Sequence, residues 1–146
     1  MTHQIAVDFG TSNTVIAAWN EATRTAETVR LAPFSTAPAD GAPSTIPTLL
    51  YVEDALNRVV RAGAEVRDRG EDVPGDQRYF AGFKRAVAAD VPGFSPWVDG
   101  QELTPKLAGE LFLQRVLKAL PPAGHPLDEV IFTVPGSIAS TLSTPA

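Results

Sequence analysis

The sequence predicts an α/β fold, and three observations carry that prediction. Apolar segments crowd the first 31 residues at the spacing of a short antiparallel meander. A long leucine-striped segment, 104–120, reads as the clearest helix of the chain. It leads into Val130-Ile131-Phe132-Thr133-Val134, an almost continuous apolar run of strand length. Such a run is expected where a strand is buried on both faces, as in a parallel sheet. A helix running into such a strand is half of a βαβ crossover. The 146 residues predict one domain, a size that buries roughly 68–70% of its unfolded surface.

The first element is a β-hairpin. Ile5 to Val7 runs into Asp8-Phe9-Gly10-Thr11-Ser12-Asn13-Thr14, and Val15 to Trp19 leads away. At its tip Gly10 lets the backbone approach a ligand closely. The N–H groups and side chains of Thr11, Ser12 and Asn13 are suited to line an anion-binding concavity. Asp8, at the end of a strand expected to be buried, calls for a compensating cation or hydrogen bonds. A carboxylate beside a phosphate-sized nest suits a Mg²⁺-nucleotide, since Mg²⁺ is held by one or two carboxylates plus substrate phosphates. The same residues also read as an ordinary hairpin in which Asp8 and Asn13 satisfy the turn. Ala26 to Leu31 alternates apolar and polar residues and predicts a third, half-buried strand.

Pro33 to Pro47 is loop by its Pro, Gly and Ser/Thr content. Ile46 to Val52 predicts a strand with Pro47 near its start or at an edge. Arg58–Arg61 reads as a short partner strand, and Ala62 to Arg69 as a short helix ended by Gly70. From Tyr79 the apolar residues Tyr79, Phe80, Phe83 and Val87 share one helical face. Lys84 and Arg85 fall beside that face and alone read as a solvated pair. Asp90 to Gln101 is irregular. In the long helix Thr104 is the N-cap, Pro105 the first helical residue, and Pro121-Pro122 the stop. Leu103, Leu107, Leu111, Val116 and Leu120 form its core stripe, widened by Phe112 and Leu117. Pro135-Gly136-Ser137 turns the chain after the last strand, and Ile138 to Leu142 is expected to begin another helix.

Composition narrows the function. Net charge is −5 with no basic stripe along the sequence, which argues against nucleic acid. There is no cysteine, so disulfides, thiolate metal sites and a cysteine nucleophile are excluded. His3 and His125 stand far apart in sequence and read as surface residues. No apolar run reaches the roughly 20 residues that span a bilayer. No charged leader fits before the first strand. A cytoplasmic protein without membrane partners is expected.

The order of these segments resembles one family. Ile-Ala-Val-Asp-Phe-Gly-Thr-Ser-Asn-Thr at 5–14 is similar to the first phosphate loop of the actin-like ATPase superfamily of chaperones, actins and sugar kinases. Three further segments resemble the 70-kDa heat-shock protein (DnaK-type chaperone) family within it. They are Ser44 to Val52, Phe80 to Arg85, and Val130-Ile131-Phe132-Thr133-Val134-Pro135. The resemblance implies a ribonuclease-H-like lobe, present in part, formed by 1–33 and 101–146, with 34–100 as an inserted small α+β subdomain. It implies ATP/ADP and Mg²⁺ as ligands. Asp8 would hold Mg²⁺ through water, and Gly10, Thr11, Ser12 and Asn13 would line the phosphates. Lys84 would reach the γ-phosphate and help place the attacking water, with Asp8 as its catalytic companion. Pro135 would be an interdomain hinge.

Family ATPase domains are far longer than 146 residues. The resemblance places the catalytic carboxylate, second phosphate loop, adenosine pocket and peptide-binding domain after Ala146. Segment 137–146 lacks the polar, basic helix the family has there. The expectation is therefore the amino-terminal portion of an ATP-dependent chaperone, incomplete as a catalyst. Unfolded clients and co-chaperones would be partners only of a full-length chain. A non-enzymatic binding module or remnant is the alternative from another class, and a bacterial actin homologue or sugar kinase the alternative within the superfamily.

Overall fold

A computed structural model describes residues 3–36, 42–89, 93–133 and 140–143. It is an α/β structure in which one helix is packed between two sheets. The first sheet begins with the expected hairpin, β1 (Gln4–Phe9) and β2 (Asn13–Asn20). β3 (Thr25–Thr28) extends it antiparallel. Two-residue β4 (Ile46–Pro47) pairs with the start of β2, through Asn13 and Thr14. On the other side of β1 lies β10 (Glu129–Thr133), parallel to it, with Ile5 opposite Val130 and Asp8 opposite Thr133. β11 (Ser140–Ser143) closes that edge antiparallel to β10.

The second sheet is antiparallel, with β5 (Leu49–Asp54) between β6 (Val59–Ala62) and β7 (Tyr79–Ala81). Helix α1 (Ala64–Asp68) follows β6, and α2 (Phe83–Ala89) follows β7. A hairpin of β8 (Trp97–Val98) and β9 (Gln101–Glu102) precedes α3 (Pro105–Leu117).

Helix α3 starts as its sequence dictates. The Thr104 Oγ1 accepts from the Leu107 N–H at 3.1 Å, and Pro105 occupies the first turn. Its stripe, Ala108, Leu111, Phe112 and Val116, is buried in one core with Ile5, Val7, Ile16 and Val130 of the first sheet. Leu50, Val52, Val60, Ala62 and Phe80 of the second sheet belong to the same core. Phe9, Phe83 and Phe112 meet at ring-centroid distances of 5.9–6.2 Å, joining the end of β1 to the starts of α2 and the middle of α3.

Several sequence expectations need correction. The third strand is earlier and shorter than 26–31, and all four of its residues are exposed; Val29 and Leu31, just past it, supply the burial. The segment 46–52 is two strands in two sheets, broken at Thr48. The helix expected from Tyr79 starts only at Phe83. Tyr79 and Phe80 instead pair with Tyr51 and Leu50, and Gly82 at φ +66° turns the chain between strand and helix. The side chain of Val87 lies outside the described residues. Segment 97–102 is a hairpin rather than irregular. Its turn, Asp99-Gly100, has φ of +52° and +79°, the positive-φ pair a two-residue hairpin needs. Helix α3 ends at Leu117, ahead of the prolines, which form a 3₁₀ turn at Pro121–Ala123. β10 is buried at Val130 but exposed at Thr133, because the described residues cover only one face of this sheet. Residues 140–143 are a strand where a helix was expected. No helix among the described residues is long and apolar enough to cross a membrane.

Two predictions follow from this packing. Phe112 is fully buried, so Phe112→Ala is expected to cost about 3–5 kcal/mol of stability, read from chemical denaturation. The second concerns the β8–β9 hairpin. Arg78 grips Asp99 with two nitrogens, at 2.7 and 3.1 Å, and also donates to the carbonyls of Val52 and Glu53. Those Arg78 hydrogen bonds and the Ala55 N–H hold the Asp99 carboxyl down to about 2, from 3.8. A depressed carboxyl stabilises the fold above its unfolded value and loses that contribution as pH falls through the folded one. Asp99→Asn keeps a residue tolerant of positive φ. The melting-temperature difference between wild type and Asp99→Asn should be full above about pH 4 and shrink toward about pH 2.

Candidate functional site

The β1–β2 turn is held in shape by a residue from elsewhere in the chain. Thr48, at the break between β4 and β5, donates its hydroxyl to the Gly10 carbonyl at 2.9 Å. Its N–H donates to the Ser12 carbonyl at 3.0 Å. The Thr48 and Thr14 hydroxyls are 2.9 Å apart, and both residues are buried. Two carbonyls of the turn are therefore drawn inward. The N–H groups of Thr11 and Ser12 have no acceptor among the described residues. Backbone N–H groups left open on a turn form a concavity for an anion.

Gly10 is required by the turn itself. A Cβ there would lie 2.2 Å from the Asn13 carbonyl oxygen, a backbone atom that cannot step aside. Thr11 is half-buried, and Ser12 and Asn13 are exposed at the tip.

Asp8 is not where the sequence argument put it. Strand alternation places Ile5, Val7 and Phe9 toward α3 and Asp8 on the opposite face, which no described element covers. Its carboxylate is exposed, beside Val15 and Thr133 in register, and among the described residues it has no ion pair. Burial therefore does not demand a cation there. The carboxylate is instead free to face solvent at the turn end of β1.

Lys84 lies in the first turn of α2, and its ammonium sits 5.7 Å from the centre of the Phe9 ring. The Phe9–Phe83 contact is what brings α2 to this end of β1. Lys84 is thus placed next to the residue that precedes Gly10, on the helix side of the sheet, while Asp8 is on the other side. No ion pair joins the two. Arg85 is exposed. Pro135 lies outside the described residues.

The fit of a Mg²⁺-nucleotide rests on donor chemistry. Open N–H groups suit phosphate oxygens, and a single solvent-facing carboxylate suits a cation held through water and phosphates. Among the described residues no three His, Asp or Glu side chains are grouped to hold a metal directly. Those donors fit the group.

Sequence reasoning missed two features. Thr48 carried no stronger signal than a polar residue inside an apolar run. His3 and His125, read as unrelated, line one cleft of about 280 Å³ at the far end of β1, with Trp19, Glu21 and Glu27.

Thr48→Val keeps the side-chain shape and removes the hydroxyl, leaving the buried Thr14 oxygen and the Gly10 carbonyl without this partner. A loss of about 1–3 kcal/mol in denaturant unfolding is expected.

No protein-family model matches the chain, and no curated protein matches it.

Proposed function

We propose that this chain is the amino-terminal portion of a DnaK-like, ATP-dependent chaperone and that its β1–β2 turn takes the phosphates of Mg-ATP. The observation that carries the reading is the Thr48-clamped turn, with its glycine at a forced close approach and the Thr11 and Ser12 N–H groups open. Support comes also from topology. An antiparallel β1–β2–β3 meander with α3 leading into a parallel β10 beside β1 agrees with a partial ribonuclease-H-like lobe. On this reading segment 34–100 is the inserted subdomain, Lys84 its contribution to the site, and Pro135 a hinge.

In the proposed site Gly10 to Asn13 would bind and orient the phosphates, Asp8 would hold the Mg²⁺, and Lys84 would offset phosphate charge. The cation would supply electrostatic stabilisation of phosphoryl transfer, a reaction that depends mostly on positioning. The proposal includes no catalytic carboxylate or second phosphate loop within residues 1–146. Weak binding and no turnover by these residues alone follow from it.

A second reading, a non-enzymatic binding module, is favoured by one observation. The face of the first sheet that no described element covers carries Ala6, Val15, Ala17, Ile131 and the exposed Trp19. Apolar surface of that kind marks contact sites.

The test is a titration of the isotopically labelled chain with millimolar Mg-ATP, followed by amide NMR. Shifts confined to residues 9–14 and the Lys84 neighbourhood, weakened by Lys84→Ala, are expected. Shifts that map elsewhere, or none, overturn the nucleotide reading. Turnover that Lys84→Ala abolishes would overturn the claim of an incomplete catalyst.

A further inference from the structure

Four of the twelve Lys and Arg residues converge on one surface that includes no residue of the β1–β2 turn. The segment after β3 folds into a tight loop: the Leu31 carbonyl accepts from the N–H groups of Phe34 and Ser35, and the Ser35 hydroxyl accepts from the Leu31 N–H. Phe34 is buried between two helices. Its carbonyl accepts from the Ala64 N–H at the start of α1, and its ring lies 4.9 Å below the Arg115 guanidinium of α3. Phe34 therefore draws the loop, α1 and the end of α3 together, and Arg30 on the loop comes to stand between them. Arg30 lines two adjoining clefts. One, of about 520 Å³, also holds Arg115 and Lys118; the other, of about 380 Å³, also holds Arg67.

None of the four cations has a carboxylate within ion-pair distance among the described residues. Among the described residues Asp68 is the one carboxylate in the lining. Four positive charges less one leave a surplus of three, reduced by about half a charge from the carbonyl end of α3. A surplus of that sign is unexpected on a chain of net charge −5.

We infer that this double cleft is a docking surface for an extended acidic peptide segment. The charges are spread along two connected clefts rather than gathered on one point, so the ligand they match carries several separated negative groups. Alternate side chains of an extended peptide share one side of its backbone and present a row of separated carboxylates, and guanidinium groups pair with carboxylates through two parallel hydrogen bonds. Nucleic acid fits less well. The aromatic ring of the site is covered by Arg115 and leaves no face for a base to stack on. The negative remainder of the surface also repels a long polyanion. The inference is independent of the nucleotide reading, because no residue of the β1–β2 turn lines either cleft.

The experiment is fluorescence anisotropy of a labelled hexaglutamate peptide titrated with the 146-residue chain at low salt. Saturable binding is expected, weakened about tenfold by Arg30→Glu and by Lys118→Glu, and weakened by added salt. Lys106→Glu makes the same change in net charge on the exposed first turn of α3, outside both clefts, and is expected to leave binding nearly unchanged. Circular dichroism melts establish that each variant is folded. Three results would overturn the proposal: no saturable binding, equal loss in Arg30→Glu and Lys106→Glu, or tighter Arg30-dependent binding of a hexathymidylate oligonucleotide.

Discussion

The contact on which the rest of this fold depends is the aromatic junction of Phe9, Phe83 and Phe112. Each ring comes from a different part of the chain: the end of the first strand, the start of α2, and the middle of α3. Large flat side chains bury much apolar surface per residue and pack best in offset or tilted pairs. Here they set where α3 lies between the two sheets. They also bring α2, and Lys84 with it, to the turn end of β1. A Cβ at Gly109 would meet the Phe9 ring at an ordinary contact distance of 3.8 Å, so the junction does not depend on a glycine there.

Much of the architecture was legible because it is written locally. The hairpin, the Thr104-Pro105 start of α3, Gly70 after α1 at φ +69° and the parallel strand at 130 each rest on a few adjacent residues. The errors have a common cause. Periodicity reports which residues are apolar, and it does not report which neighbour buries them. Tyr79, Phe80 and Phe83 are spaced for a helix, yet β5 had an open edge, and Gly82 allowed the chain to serve strand and helix in turn. The Asp99-Gly100 pair was a hairpin signal that the surrounding prolines masked.

The candidate site was legible only in its tip. Gly10 to Asn13 stand together because they are contiguous, whereas Thr48, which fixes their carbonyls, is 38 residues from Gly10. Asp8 was assigned to a buried position because the apolar run before it looks buried. Strand alternation puts it on the other face, which nothing described here covers. The basic double cleft was invisible for the opposite reason. Arg30, Arg67, Arg115 and Lys118 form no run in the sequence, and only the folding of the Phe34 loop between two helices gathers them.

The position of Thr48 has a consequence in time. A hairpin closes in microseconds from its own residues, while contacts distant in sequence wait for the intervening chain to be ordered. The β1–β2 strands are therefore able to pair early, but the turn between them acquires its inward-drawn carbonyls only when residues 46–48 dock on β2. Its final shape is a late product of folding, completed only when the chain just ahead of the second sheet has arrived.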